Sequence, residues 1–110
     1  MARAWYEAWT TRRGPEALRA LMDEAFVFVS GPVRVEGREA FLQAAAWPPN
    51  AVTTMQAAAY DGASAFQLYE AVNGNVAVRI AEHLTVRDGL IASSEVIVDQ
   101  AAFAAFVAGA

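Results

Sequence analysis

Residues 64–98 read SAFQLYEAVNGNVAVRIAEHLTVRDGLIASSEVIV. Apolar and polar residues alternate through most of this stretch, and two Asx-Gly pairs, Asn73-Gly74 and Asp88-Gly89, interrupt it. Period-two patterning broken by Asn-Gly or Asp-Gly is the strongest short-range sign of a β-hairpin, because these residues tolerate the positive φ of a tight turn. The stretch therefore predicts a three-strand meander, at about residues 64–72, 76–87 and 90–98. A third pair, Asp61-Gly62, joins a further strand at about 51–59 to its near edge.

Towards the N-terminus the period changes to that of helices. Residues 2–12 predict a helix with Trp5 and Trp9 one turn apart and Tyr6 beside them. Gly14-Pro15 breaks it and starts a second helix, Glu16 to Met22, whose apolar stripe is Leu18, Leu21 and Met22. Phe26 to Val29 is a short β run, turned by Gly31-Pro32 onto Val33 to Val35. A third helix runs from Arg38 to about Trp47, with Phe41, Leu42 and Ala45 inward, and Pro48-Pro49 ends it. After the meander, residues 100–107 predict a short helix that docks Phe103 and Phe106. Residues 1–110 form one α+β domain, with N-terminal helices packed on a strongly curved antiparallel sheet.

Composition narrows the function. The 110 residues include no cysteine, which removes disulfides, thiolate metal sites and cysteine nucleophiles. The net charge is -4, and the eight basic residues are all arginine and scattered, so nucleic acid is not expected as a partner. Hydrophobic residues make up 56%, more than a core this size consumes, so a second buried surface facing a ligand or a partner is expected. The first ten residues lack the apolar core of a signal peptide, and no apolar run approaches the roughly 20 residues of a membrane helix. A cytoplasmic protein without membrane contact is the expectation. No metal cluster or phosphate loop is legible, so no cofactor is expected.

Strand parity decides which side chains face the helices. Three-residue loops with glycine at a bulge position would place Phe66, Leu68, Glu70, Val76, Val78, Ile80, Glu82, Leu84, Ser94, Val96 and Val98 on one face. The same rule adds Val52, Thr54, Gln56 and Ala58. The set is strongly apolar, as a face under helices requires. The opposite face would then carry Tyr69, Arg79, His83 and Glu95, separated by small residues, a composition suited to a homodimer contact between sheets. A two-residue turn at either glycine would reverse the assignment for that strand pair.

Three local motifs resemble a known superfamily. Val35-Glu36-Gly37-Arg38-Glu39-Ala40 is similar to the entry of its third helix, and Val86-Arg87-Asp88-Gly89-Leu90-Ile91 to its last hairpin. Asp99 resembles the aspartate that often closes its final strand. On these and on the order of elements, the chain resembles the nuclear transport factor 2-like superfamily, in its SnoaL-like and ketosteroid isomerase-like branches. The resemblance implies a cone-shaped, cystatin-like roll around an apolar pocket. It also implies isomerase, cyclase, dehydratase or epoxide hydrolase activity, or a non-catalytic association module, and in most members a homodimer through the outer sheet face. Tyr6 matches by position the tyrosine that ketosteroid isomerases use as an oxyanion donor. Their general-base aspartate falls on Val29 or Ser30 and their second aspartate close to Ile80, so steroid isomerase chemistry does not carry over.

Glu82 is the leading catalytic candidate. It interrupts an apolar inward run, and burial would raise its pKa into the range of a general acid or base. The alternative is a carboxylate near the sheet's end that bonds Ser94 or solvent. Tyr6 is the second candidate, as a hydrogen-bond donor or as a core tyrosine. The expected pocket wall is Trp5, Trp9, Phe28, Trp47, Gln56, Phe66, Leu68, Glu70, Val78, Ile80, Ser94 and Val96. Two functions fit: a lyase or isomerase acting on a small hydrophobic molecule, or a non-catalytic homodimeric ligand-binding or association module.

Overall fold

The computed structural model describes residues 1–11, 14–45 and 47–109. The meander is present as β4 (Ser64–Asn73), β5 (Val76–Arg87) and β6 (Leu90–Ile97). Ahead of it lie α1 (Ala2–Thr10), α2 (Pro15–Leu21), β1 (Met22–Ser30), β2 (Val33–Glu36), α3 (Arg38–Ala44) and β3 (Val52–Asp61), and α4 (Gln100–Ala108) follows. The six strands form one sheet in the order β2-β1-β6-β5-β4-β3. Four of its pairings are antiparallel, and β1 runs parallel to β6. The architecture is α+β, with helices on one face of a mixed, open sheet. The expected first helix reaches residue 12, which, with residues 13, 46 and 110, lies outside those described. The third helix stops at Ala44, so Trp47 belongs to the segment after it.

Turn length corrects the strand parity. Asn73 pairs with Val76, leaving a two-residue loop, Gly74-Asn75, with Gly74 at φ 63°. A two-residue loop sets β4 one position off the three-residue register, and a one-position shift turns every side chain over. Ala65, Gln67, Tyr69 and Ala71 therefore face the helices, while Phe66, Leu68 and Glu70 face outward. Phe66 is 59% exposed, and Tyr69, expected on the outer face, is buried.

The next hairpin is also tight: Arg87 pairs with Leu90 around Asp88-Gly89, both at positive φ, as a I′ turn requires. This turn alone would have reversed β6 as well. A bulge at Ala92, where Thr85 pairs with Ser93 but Val86 with Ile91, restores the parity beyond it. Ile91, Ser94 and Val96 consequently all point to the helices, with Ile91 and Ser94 fully buried. The β3–β4 pair has a bulge of its own at Gln56, between Met55 and Ala57. Met55 is the residue there that packs on the core, and Val52, Thr54 and Gln56 are exposed.

Two apolar clusters sit beneath the helices. One joins α1, α2 and α3 to the sheet through Trp5, Leu18, Met22, Phe26, Phe41, Leu84 and Ile91. The other seats α4 on β4 and β5 through Phe106, Tyr69, Ala71, Val78 and Ile80. The end of the last strand and the start of α4 are set by Asp99, whose Oδ1 accepts from the Ala102 N–H as an N-cap. The far end of α4 is tied to the β4–β5 turn by Asn73, whose Nδ2 donates to the Phe106 carbonyl at 2.7 Å. Among the described residues, no helix is long and apolar enough to cross a membrane.

Candidate functional site

A cavity of about 590 Å³ opens between the helices and the concave face of the sheet, and both apolar clusters contribute to its wall. α1 supplies Trp5, Tyr6 and Trp9 because residues three and four apart share a helix face. β1 contributes Phe28 and Ser30, β4 Tyr69, β5 Ile80 and Glu82, and β6 Val96. Trp47 and residues of α3 and α4, Phe41 and Phe103 among them, complete the enclosure. The rings form a connected set: Trp9 meets Trp5, Phe41 and Trp47 edge-on, and Tyr6 meets Tyr69 edge-on at 5.3 Å between centroids.

Glu82 is the one charged residue among the described residues of this wall. It is 6% exposed, and its Oε2 accepts two hydrogen bonds, from Trp5 Nε1 at 3.0 Å and from Ser94 Oγ at 2.6 Å. Ser94 pairs in register with Leu84, so its hydroxyl reaches Glu82 diagonally across the two strands. Oε1 has no hydrogen-bond partner among the described residues. Burial pushes the Glu82 carboxyl above its ordinary range, opposed by the bonds from Ser94 and Trp5, which favour the anion. The same burial, with the Glu82 charge nearby, holds the Tyr69 hydroxyl well above its usual pKa, so Tyr69 is a neutral donor at pH 7.

Of the residues expected to line a pocket, Trp5, Tyr6, Trp9, Phe28, Trp47, Ile80, Glu82 and Val96 border the cavity. Ser94 lies behind Glu82, fully buried, and reaches the cavity through that carboxylate. Val78 is on the inner face but packs in the core under α4. Phe66, Leu68, Glu70 and Gln56 do not line the cavity. The first three were turned over by the tight β4–β5 loop, and Gln56 sits on a bulge with its Oε1 accepting from Arg79 Nε. Tyr69 takes the place those residues were expected to fill, and no pattern short of the turn length could have revealed it.

Gln67, also brought inward by the shorter loop, pairs across the strands with Glu82. Its Nε2 donates to the Ala2 carbonyl, while its Oε1 is buried without a partner among the described residues. The outer face carries Arg79, His83 and Glu95, with Phe66 stacked flat on His83 at 4.3 Å. Among the described residues, no group of three or more His, Asp or Glu could hold a metal ion.

Helices packed on one face of a mixed sheet agree with the comparisons with known proteins. The SnoaL-like domain model matches residues 2–94. The chain belongs to the SnoaL-like domain family. Solved structures share its fold. A proposed ketosteroid isomerase from Kribbella flavida matches with a TM-score of 0.81 at 22% identity, over 90% of this chain and 75% of its own. A proposed SnoaL-like polyketide cyclase from Jannaschia matches with a TM-score of 0.82 at 16% identity, over 96% and 87%. A protein of ketosteroid isomerase-like fold from Catenulispora acidiphila, solved in complex with trimethylamine, matches with a TM-score of 0.72 at 22% identity, over 99% and 92%. Likeness at these identities establishes the fold. Among curated protein sequences, none matches this chain.

Proposed function

We propose that this SnoaL-like domain holds a small, largely apolar molecule in its cavity and moves a proton on it, in an isomerase- or lyase-type reaction with Glu82 as the base and acid. The observation that carries the reading is the Glu82 carboxylate, buried at the cavity wall with Oε2 engaged by Trp5 and Ser94 and Oε1 without a partner among the described residues. The two donors hold the carboxylate in one orientation, so Oε1 is the oxygen that exchanges a proton with the substrate. A carboxyl whose pKa is raised by burial binds a proton more strongly, which brings it closer to the range useful at neutral pH. Tyr6 and Tyr69 supply hydroxyls on the same wall for a developing oxyanion. The proposed isomerase from Kribbella and the proposed cyclase from Jannaschia support this class of chemistry by their fold.

A generic carbon acid tests it without a known substrate. 5-Nitrobenzisoxazole loses its C3 proton to a base as its N–O bond breaks, giving a coloured cyanophenolate. Saturable ring opening is expected, reduced about a hundredfold or more in Glu82→Gln. Equal rates in the two proteins would refute the role of Glu82.

The outer face favours a second copy as partner. Phe66 and Ile97 are 59% and 66% exposed on a face that also carries Leu68, with Arg79 and Glu95 available for a polar rim. Sedimentation velocity at low micromolar concentration should show a dimer, and a strictly monomeric protein would overturn this part of the reading.

A further inference from the structure

The chemistry of the cavity also selects the charge of what enters it. Two tyrosines and three tryptophans border the space, with phenylalanines from β1, α3 and α4. Glu82 stands among them with no countercharge from the described residues. Arg19 and Arg38 pair with Glu39, Arg34 pairs with Glu36 and Arg3 with Glu7, all on the surface. Arg79 bonds Gln56 and His83 stacks on Phe66, both on the outer face. Arg87 faces Asp23.

The three ligand classes have opposite effects on this carboxylate. A neutral apolar ligand would expel the water that solvates Oε1 and increase the cost of the buried charge. An anion would add repulsion. A cation supplies the missing partner, and its remaining faces meet aromatic rings, whose negative π faces attract it. The described wall holds no positive side chain to oppose it.

We infer that the molecule held in this cavity carries a positively charged nitrogen, an ammonium group with apolar substituents, placed between the Glu82 carboxylate and the faces of the surrounding rings. The inference rests on the reading of the cavity as a ligand site and names its ligand class. The same charge also serves the proton transfer: a cation beside Glu82 holds it ionised, the form that accepts a proton. Besides Glu82, the titratable groups on the described wall are Tyr6 of α1 and Tyr69 of β4, and burial holds the Tyr69 hydroxyl in its neutral form.

A matched pair of probes separates charge from shape. Phenyltrimethylammonium and tert-butylbenzene have the same outline, and nitrogen replaces carbon at the branch. Their binding can be followed by the fluorescence of the tryptophans that border the cavity. The ammonium probe is expected to bind about tenfold tighter or more. Its affinity should fall as pH is lowered and Glu82 takes up a proton, and calorimetry in buffers of different ionisation enthalpy should register proton release on binding. Glu82→Gln should erase the preference, because the ammonium probe loses its countercharge while tert-butylbenzene binds at least as tightly as in the wild type. If the wild-type protein binds tert-butylbenzene as tightly as the ammonium, the cation inference is overturned and the apolar ligand site stands. If neither probe binds, both the inference and the ligand site fall.

Discussion

The two faces of the β4–β5 hairpin invert the usual distribution of polarity. Inside, under the helices, Gln67 and Glu82 pair across the strands, both buried. Outside, one residue back along β4 and one forward along β5, Phe66 lies against His83 with its ring open to solvent. A sheet shaped by stability alone would place the phenylalanine under the helices and the carboxylate in water, since buried polar groups and exposed large apolar ones are the informative exceptions. Here one turn of two residues puts Phe66 outside and Gln67 inside, beside a Glu82 that faces inward in either register. The inner exception belongs to a cavity and the outer one to the proposed dimer contact, and the two sides are expected to respond differently to mutation.

The largest effect is expected at Trp5. It is fully buried, packs on Phe26 and Phe41 and donates to Glu82. Trp5→Ala should cost about 3–5 kcal/mol in denaturant unfolding. A loss under 1 kcal/mol would mean that α1 is not seated as described.

On the outer face, Phe66→Glu should dissociate the proposed dimer in sedimentation while the unfolding of the monomer changes by only about 0.5 kcal/mol. A strong loss of stability in that variant would show that the face is core and break the comparison.

The inner acid gives the next effect, with a sign set by pH. A carboxyl whose folded pKa is raised stabilises the protein most below its unfolded value near 4.5, and that contribution is lost as pH rises through the folded pKa. Wild-type stability relative to Glu82→Gln should therefore decline by about 1.4 kcal/mol per pH unit across that window, leaving the glutamine variant more stable above it. A flat difference between pH 4 and 9 would contradict the burial of the charge.

The smallest effect belongs to the surface. Glu39 is held down to about 2 by hydrogen bonds from Arg19, which links α2 to α3, and from its α3 neighbour Arg38. Its contribution is present above pH 4.5 and is lost as pH falls towards 2. Exposed pairs of this kind contribute little, so Glu39→Gln should move the melting temperature at pH 7 by only about a degree or two.

These contrasts also show what the sequence makes legible. The helices and all six strands can be read from periodicity and from glycine and proline punctuation, because those signals are local. Glu82 stands out for the same reason, as one acid in an apolar alternation along β5. The side of β4 that faces the helices is not local information. Asn73-Gly74 marks a turn but does not state its length, and one residue of difference exchanged Phe66, Leu68 and Glu70 for Gln67 and Tyr69. On β6 the same misjudged loop did no harm, because a bulge at Ala92 restored the register. The part of the wall supplied by α4 depends on where a terminal helix docks, which its nearly uniform apolar sequence does not specify.

The central claim, a buried carboxylate held at the cavity wall by Trp5, can be followed through the indole protons. In a ¹⁵N-labelled sample the three tryptophans give three Nε1–H resonances, assigned by substitution of Trp9 and Trp47. The Trp5 resonance is expected to shift with pH as its acceptor ionises, with a midpoint clearly above 4.5, and to lose that titration in Glu82→Gln. A Trp5 resonance that does not titrate between pH 4 and 9, or that titrates identically in the glutamine variant, would contradict the account.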